Sequence, residues 1–181
     1  DNGMEARLHM IGTSHRFQLD PIHVNDIQPV EYDGKLWKKG DLLISLGHQQ
    51  MVLLFRPSTE EIIWKNDMNI FHQHDIDILN EHEISIFNNN SKYMFGDKNI
   101  VDGNNEILIY NFINGKFSNY LSDALIREDV RTISGGRSEI LPNGDLFIEE
   151  TDYGRTLLFN PDGSLRWSHV NRADDGNVYA I

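Results

Sequence analysis

The sequence predicts an all-β protein of the β-propeller class, with about three four-stranded blades in its 181 residues. Three observations predict this class: apolar residues alternate with a period of two, turn residues separate the apolar runs, and one strand pattern repeats. Runs such as residues 51–55 and 106–110 are rich in aliphatic and aromatic residues and are typical of short strands. Asn-Gly at 114–115 and Asp-Gly at 162–163 accept the positive φ of hairpin turns.

An internal repeat decides the architecture. The matching segments are residues 43–45, 53–57 and 62–64 on one side, and 147–149, 157–161 and 165–167 on the other. This alignment pairs Trp64 with Trp167. A propeller blade has roughly 40–50 residues, so the interval between the two tryptophans holds two blades. The rival architecture, a β-sandwich, does not explain a repeat of strand, turn and tryptophan.

The repeat also predicts the blade boundaries. We expect blades at about residues 23–65, 74–121 and 137–169, with part-blades at both ends, so that residues 1–181 form one partial propeller. Three blades cannot close a ring, because an open propeller leaves blade faces unburied. We therefore expect half of a six-bladed ring, whose remaining blades come from further chain or from a second subunit, and we favour further chain.

Composition excludes several classes of function. The net charge of −12 would repel a nucleic-acid backbone or an anionic membrane surface. No apolar run approaches the roughly 20 residues that a membrane helix needs. The chain has no cysteine, which excludes disulfides, zinc–thiolate sites and a cysteine nucleophile. The first residues lack the pattern of a signal peptide and do not begin with methionine, so we expect a piece of a longer protein.

Three polar clusters begin the first strands of the predicted blades, at residues 23–26, 72–75 and 137–139. The first strand of a propeller blade lines the central channel, so these clusters should converge near one mouth of the channel. Imidazole, guanidinium and amide groups together favour an anionic ligand such as a sulfate or phosphate ester. The alternative is that these residues cap strand starts and bond to neighbouring blades.

The same segments resemble motifs of the arylsulfotransferase family. Residues 20–26 (DPIHVND) resemble "LHxNS", and residues 39–49 (KGDLLISLGHQ) resemble "GDxLxSxRHQ". Residues 62–64 (IIW) resemble the family's "xxxWxLGG" ending, although the "LGG" after Trp64 is missing. Residues 71–75 (FHQHD) with 86–89 (IFNN) are similar to "FxxQHD…LFDNG", and residues 138–145 (SEILPNGD) to "GSxxxLPNGN". The motifs follow one another in the family's order from His23 to Trp167.

The resemblance implies transfer of sulfate from an aryl donor to a phenolic acceptor in two steps, through a histidine that takes the sulfuryl group. Carried over by motif, His74 and His23 are the expected catalytic residues. The expected substrate-binding residues are Asn25, His72, Lys92 and Arg137. The resemblance implies a small anionic aromatic substrate, no metal and no other cofactor, and a periplasmic or secreted location.

The sequence also departs from the family pattern. After His82 the next histidine is His169, and the family's sulfate-accepting histidine should lie between them. Gly47 stands where the family has arginine, and Asn88 stands where it has aspartate. Two readings therefore stay open: His74 or His23 serves as nucleophile, or the chain is a non-catalytic propeller used for binding or assembly.

Overall fold

Three antiparallel sheets of four strands make up most of the ordered structure. The computed structural model describes residue 20, residues 22–94 and residues 98–181. Within these residues no helix has both the length and the hydrophobicity that crossing a membrane requires. The prediction of an all-β chain of four-stranded units is confirmed.

Each four-stranded sheet is a blade, and in blades 1 and 3 the strands follow one another in the chain. Blade 1 has the order β1-β2-β3-β4. Its strands are β1 (Val24–Pro29), β2 (Leu42–Leu46), β3 (Met51–Arg56) and β4 (Glu61–Asn66). Blade 3 has the order β11-β12-β13-β14. Its strands are β11 (Arg137–Ile140), β12 (Leu146–Glu150), β13 (Arg155–Phe159) and β14 (Leu165–Val170).

Blade 2 contains an inserted hairpin. Its sheet is formed by β5 (Ile76–Asn80), β6 (Glu83–Asn88), β9 (Glu106–Asn111) and β10 (Lys116–Asn119). The hairpin of β7 (Ser91–Met94) and β8 (Lys98–Val101) lies between β6 and β9 in the chain and forms a separate two-stranded sheet. A short helix, α1 (Ser122–Arg127), connects blade 2 to blade 3.

Strand register confirms that Trp64 and Trp167 are equivalent. Trp64 on β4 lies opposite Leu54, and Trp167 on β14 lies opposite Leu158. In both blades the register shifts by one residue immediately after that pair. A bulge is a specific local feature of a strand, so its recurrence at the same place shows that blades 1 and 3 repeat one structure.

The hydrophobic cores lie between neighbouring blades. One cluster joins the inner faces of blades 1 and 2 and includes Leu54, Ile76 and Ile86, all fully or almost fully buried. A second cluster joins blade 2 to blade 3 and includes Phe87 and Phe159. At the outer edge of the first interface, the Trp64 ring lies 5.0 Å from the Tyr110 ring and 4.8 Å from the Phe112 ring. Burial of apolar area between sheets therefore stabilises the stack.

Hydrogen bonds also join the first strands of adjacent blades. An Oδ2 atom of Asp26 in blade 1 accepts the N–H of Ile76 in blade 2 at 3.0 Å. In the same way, Oδ2 of Asp75 in blade 2 accepts the N–H of Ser138 in blade 3 at 2.8 Å. The two bonds satisfy backbone donors that a blade's own ladder leaves free at its inner edge.

Gln73 makes a second link between blades 1 and 2. Its side chain is fully buried. Its Nε2 atom donates to the carbonyl oxygens of Met51 at 2.9 Å and Leu46 at 3.1 Å, at the turn between β2 and β3. A buried amide that satisfies two carbonyl groups is costly to remove, because no water replaces it.

We predict that Gln73→Leu destabilises the chain by roughly 2–4 kcal/mol, because two buried carbonyl groups lose their donor. The free energy of unfolding by urea measures this loss. Gln28→Leu, at a half-buried position of β1, is the matched control and should change stability by less than about 0.5 kcal/mol. Equal effects of the two substitutions would contradict the assigned role of Gln73.

Candidate functional site

A cavity of about 490 Å³ lies beside the first strands of the three blades. Its walls come from β1, from the segment that leads into β5, and from the segment that leads into β11. The residues that line it include Asn25, Asp26, His74, Asp75, Gly135 and Arg137. The structure thus brings together three of the residues predicted from sequence, one from each blade: Asn25, His74 and Arg137.

Hydrogen bonds hold the His74 ring on both sides. Nδ1 lies 2.7 Å from Oδ1 of Asn89 and 2.9 Å from the carbonyl oxygen of His72, so Nδ1 carries the proton. Nε2 accepts the N–H of Gly135 at 3.0 Å. Burial lowers the pKa of His74, and the bond to Asn89 opposes part of that effect. The ring is therefore a neutral imidazole whose tautomer is set by its neighbours.

Asn89 connects His74 to the loop before blade 3. Asn89 is fully buried at the end of β6. Its Nδ2 group donates to the carbonyl oxygens of Gly135 at 2.8 Å and Thr132 at 3.2 Å. Gly135 and Gly136 both have positive φ, at 64° and 93°, a conformation that glycine adopts without strain. His74, Asn89 and Gly135 form one closed hydrogen-bonded unit, while the N–H of Gly136 donates to Oγ1 of Thr151.

Asn25 occupies the position in blade 1 that His74 occupies in blade 2, two residues before the first strand's Ile27 or Ile76. Its Nδ2 group donates to the carbonyl oxygen of Gln73 at 2.7 Å. A Cβ atom placed on Gly47 would lie 2.2 Å from that Nδ2 atom. The space that an arginine would need at position 47 is therefore filled by Asn25, which explains one departure from the family motif.

Carboxylates crowd the inner strands beside Arg137. Burial raises the pKa of Asp75 to about 6, and the N–H bond from Ser138 opposes the shift. Burial also raises the pKa of Asp77 to about 7, and the negative charges of Asp75, Asp26 and Glu139 add to it. The positive charge of Arg137 partly offsets this crowding at Asp75.

Among the described residues, four histidines gather where blades 1 and 2 meet: His23, His48, His72 and His74. His23 does not line the cavity; its ring stacks on that of His48, with centroids 4.2 Å apart and planes 17° apart. The His48 ring lies 6.1 Å from the ring of His72. His72 is buried, and burial followed by its histidine neighbours lowers its pKa to about 4. His72 is thus a neutral residue of the blade interface.

Lys92 lies away from this cavity, on the inserted hairpin. Its Nζ atom is 2.6 Å from Oδ2 of Asp102 and 4.6 Å from the centroid of the Phe71 ring. Half-exposed ion pairs of this kind contribute little to stability. The geometry gives Lys92 a partner on its own hairpin rather than a place among the cavity residues.

Sequence reasoning did not select Asn89, Asp75 or His48 as site residues. Asn89 belongs to the segment that resembles "LFDNG", and Asp75 directly follows His74. The motifs alone could therefore have identified both residues as candidates for the site. His48 lies in the turn between β2 and β3, and its approach to His23 depends on how that turn folds. His48 belongs to the motif that resembles "RHQ", but the spacing of residues along the strands does not predict that it approaches His23.

One comparison with known proteins identifies the family of the chain. The sequence profile described as arylsulfotransferase (ASST) matches residues 2–172, which confirms the resemblance seen in the motifs. No match was found among curated proteins.

Solved structures resemble the chain in fold. The WD40 β-propeller domain of Doa1 is 14% identical, with a TM-score of 0.51, and the alignment covers 86% of this chain and 46% of that one. Virginiamycin B lyase from Staphylococcus aureus is 15% identical, with a TM-score of 0.44, over 78% of this chain and 43% of that one. The chain thus spans less than half of either structure. The first match confirms the β-propeller fold and says nothing about activity.

We predict that Asp77→Asn stabilises the chain at alkaline pH. Because the folded-state pKa of Asp77 is raised, its favourable contribution is complete below the unfolded value near 4 and is lost as pH rises through about 7. The stability gained by the variant should therefore increase between pH 5 and pH 8, by about 1 kcal/mol after allowance for partial exposure. Thermal unfolding at both pH values measures it.

The control for this prediction is Asp174→Asn, at an exposed position near the C-terminus. Its effect on the unfolding temperature should be the same at pH 5 and pH 8. An effect of Asp77→Asn that is likewise independent of pH would show that burial and the neighbouring carboxylates do not raise the pKa of Asp77.

Proposed function

Because the chain belongs to the arylsulfotransferase (ASST) family, we propose that its cavity transfers a sulfuryl group from an aryl sulfate to a phenolic acceptor. The observation that carries this proposal is that His74, Asn25 and Arg137 line one cavity. An imidazole supplies a nucleophile, and a guanidinium supplies a cation that suits sulfate oxygens. A cavity of about 490 Å³ that is lined by both groups suits a small aromatic ester.

We propose His74 as the residue that accepts the sulfuryl group. Its Nδ1–H bond to Asn89 leaves the lone pair on Nε2, and burial keeps the imidazole neutral at pH 7. In the free protein that lone pair accepts the N–H of Gly135. The aryl sulfate must therefore displace Gly135 from Nε2, and the released N–H of Gly135 becomes a donor for a sulfuryl oxygen.

The proposed reaction has two displacement steps. Nε2 of His74 attacks sulfur, the bond from sulfur to the aryl oxygen breaks, and the phenolate leaves with the bonding electron pair. The acceptor oxygen then attacks sulfur, the bond from sulfur to Nε2 breaks, and the imidazole is neutral again. Arg137 balances negative charge on the sulfuryl oxygens in both steps.

The acceptor phenol loses a proton in the second step. Asp75 lines the same cavity, and its pKa of about 6 makes it a base at neutral pH that is stronger than an ordinary aspartate. We assign the proton to this carboxylate. His23 has no part in the proposed transfer, because its ring stacks on His48 and does not line the cavity.

A specific observation favours the alternative of a non-catalytic binding module. Both ring nitrogens of His74 are hydrogen-bonded within the chain, and no second histidine lines the cavity in the described part of the chain. In this alternative His74 is a structural link between blades 2 and 3, and the cavity holds an anion without reaction.

We predict that His74→Asn abolishes transfer while the chain stays folded. Asparagine is the residue found at the equivalent position of blade 1, so the backbone accepts it, but its amide is not a nucleophile. The rate of phenol release from a chromogenic aryl sulfate, with a second phenol as acceptor, should fall by a factor on the order of 10³ or more. Circular dichroism checks the fold.

His169→Asn is the matched control for His74→Asn, because His169 is exposed on β14, and it should retain full activity. Undiminished transfer by His74→Asn would remove His74 from the mechanism. Absence of transfer by the full-length unmodified protein, across several aryl sulfates, would favour the binding module.

We also predict that the turnover number rises with pH through about 6, because Asp75 accepts a proton only when it is ionised. Asp75→Asn keeps an oxygen for the N–H of Ser138 but cannot take the proton. Its turnover number should be lower and should no longer change around pH 6. A pH profile identical to that of the unmodified protein would exclude Asp75 as the base.

A further inference from the structure

Three side chains of types that commonly bind metals lie close together in blade 1, beside the start of β1. Asp20 and His23 precede β1, and His48 lies in the turn between β2 and β3. One potential ligand atom from each residue lies within 4.8 Å of the other two. Two imidazoles and one carboxylate form a ligand set typical of divalent zinc and related transition metals.

Hydrogen bonds already arrange these three residues around Asp20. Nδ1 of His23 is 2.7 Å from Oδ2 of Asp20, and Nδ1 of His48 is 2.7 Å from the carbonyl oxygen of Asp20. The backbone is fixed as well: the N–H of His23 donates to Oδ1 of Asp20 at 2.9 Å, and the N–H of Gly47 donates to the carbonyl oxygen of His23 at 2.8 Å. The ligands therefore approach one another before any ion arrives.

We propose that Asp20, His23 and His48 bind one divalent transition-metal ion of the zinc class. The ion replaces the proton that His23 shares with Asp20 and takes a nitrogen from each imidazole. A water molecule occupies the fourth coordination position of the ion. The side chains of His23 and Asp20 are 48% and 61% exposed, so the ion reaches the site from solvent without opening the core.

Binding requires a local rearrangement of the ligand side chains. Zinc lies about 2.0–2.2 Å from nitrogen and oxygen ligands in tetrahedral geometry, which sets the distance between two ligands at roughly 3.3 Å. The 2.7 Å separation of His23 and Asp20 must therefore widen by about half an ångström. A metal also lies in the plane of the imidazole that binds it, so one of the two stacked rings must rotate about its Cβ–Cγ bond.

The sequence predicted no metal site, because no metal signature has this spacing. His23 lies three residues after Asp20, but His48 joins them only through the fold of the β2–β3 turn. The inference does not rest on the proposed sulfuryl transfer: its readout is the binding of a metal ion by the free protein. Failure of either proposal leaves the other unaffected.

The test is calorimetric titration of the full chain with Zn²⁺ at pH 7.5, after removal of metal by a chelator. We expect one equivalent to bind, with affinity reduced more than about tenfold, or roughly 1.4 kcal/mol, in His48→Ala. His169→Ala, at the exposed histidine of β14, is the matched control and should bind as the unmodified chain does. Titration with Co²⁺, followed by visible absorption, reports the number of nitrogen ligands independently.

Two results would overturn the proposal. One is absence of a saturable zinc site in the unmodified chain, and the other is equal affinity of the unmodified chain and His48→Ala. Circular dichroism of the metal-free variants verifies the fold. If His48→Ala does not fold, His23→Gln tests the same site, and unchanged zinc affinity in that variant contradicts the proposal equally.

Discussion

The fold and the site both depend on one repeated hydrogen bond, from a first-strand carboxylate to the backbone N–H of the next blade. Asp26 binds Ile76 in this way, and Asp75 binds Ser138. Apolar packing between blades is non-directional and permits sliding, whereas these bonds fix the offset of one inner strand against the next. The offset in turn sets which side chains meet at the cavity. Asp75 contributes to both functions, because it joins two blades and lines the cavity.

The repeat in the sequence was sufficient to predict the blades. Trp64 and Trp167 each lie opposite a leucine and next to a bulge. This equivalence follows because a strand's side chains alternate and its turn residues set the register. The motifs identified Asn25 and His74, and the polar cluster that begins the third blade identified Arg137; all three line the cavity. The number of blades in the closed ring and the blade boundaries stay predictions.

Sequence spacing could not give the roles within the site. Ile27, Ile76 and Ser138 each pair with an isoleucine of the following strand, so the residues before them are equivalent: Asp26, Asp75 and Arg137. Arg137 therefore matches the carboxylates of the other blades rather than Asn25 and His74. The bonds of His74 to Asn89 and Gly135, and the approach of His48 to His23, arise from loops whose paths are not encoded in strand periodicity.

The exchange of a carboxylate for Arg137 has an electrostatic consequence for the proposed transfer. A third carboxylate at this position would raise the already elevated pKa values of Asp75 and Asp77 further, and it would repel a sulfate ester. Arg137 instead lowers the pKa of Asp75 and attracts a sulfate ester, but Asp75 still carries a charge above pH 6. Ionised Asp75 accepts the proton of the acceptor phenol and at the same time weakens binding of the anionic donor. The turnover number and the KM for the donor should therefore rise together as pH increases through about 6, because one carboxylate controls both.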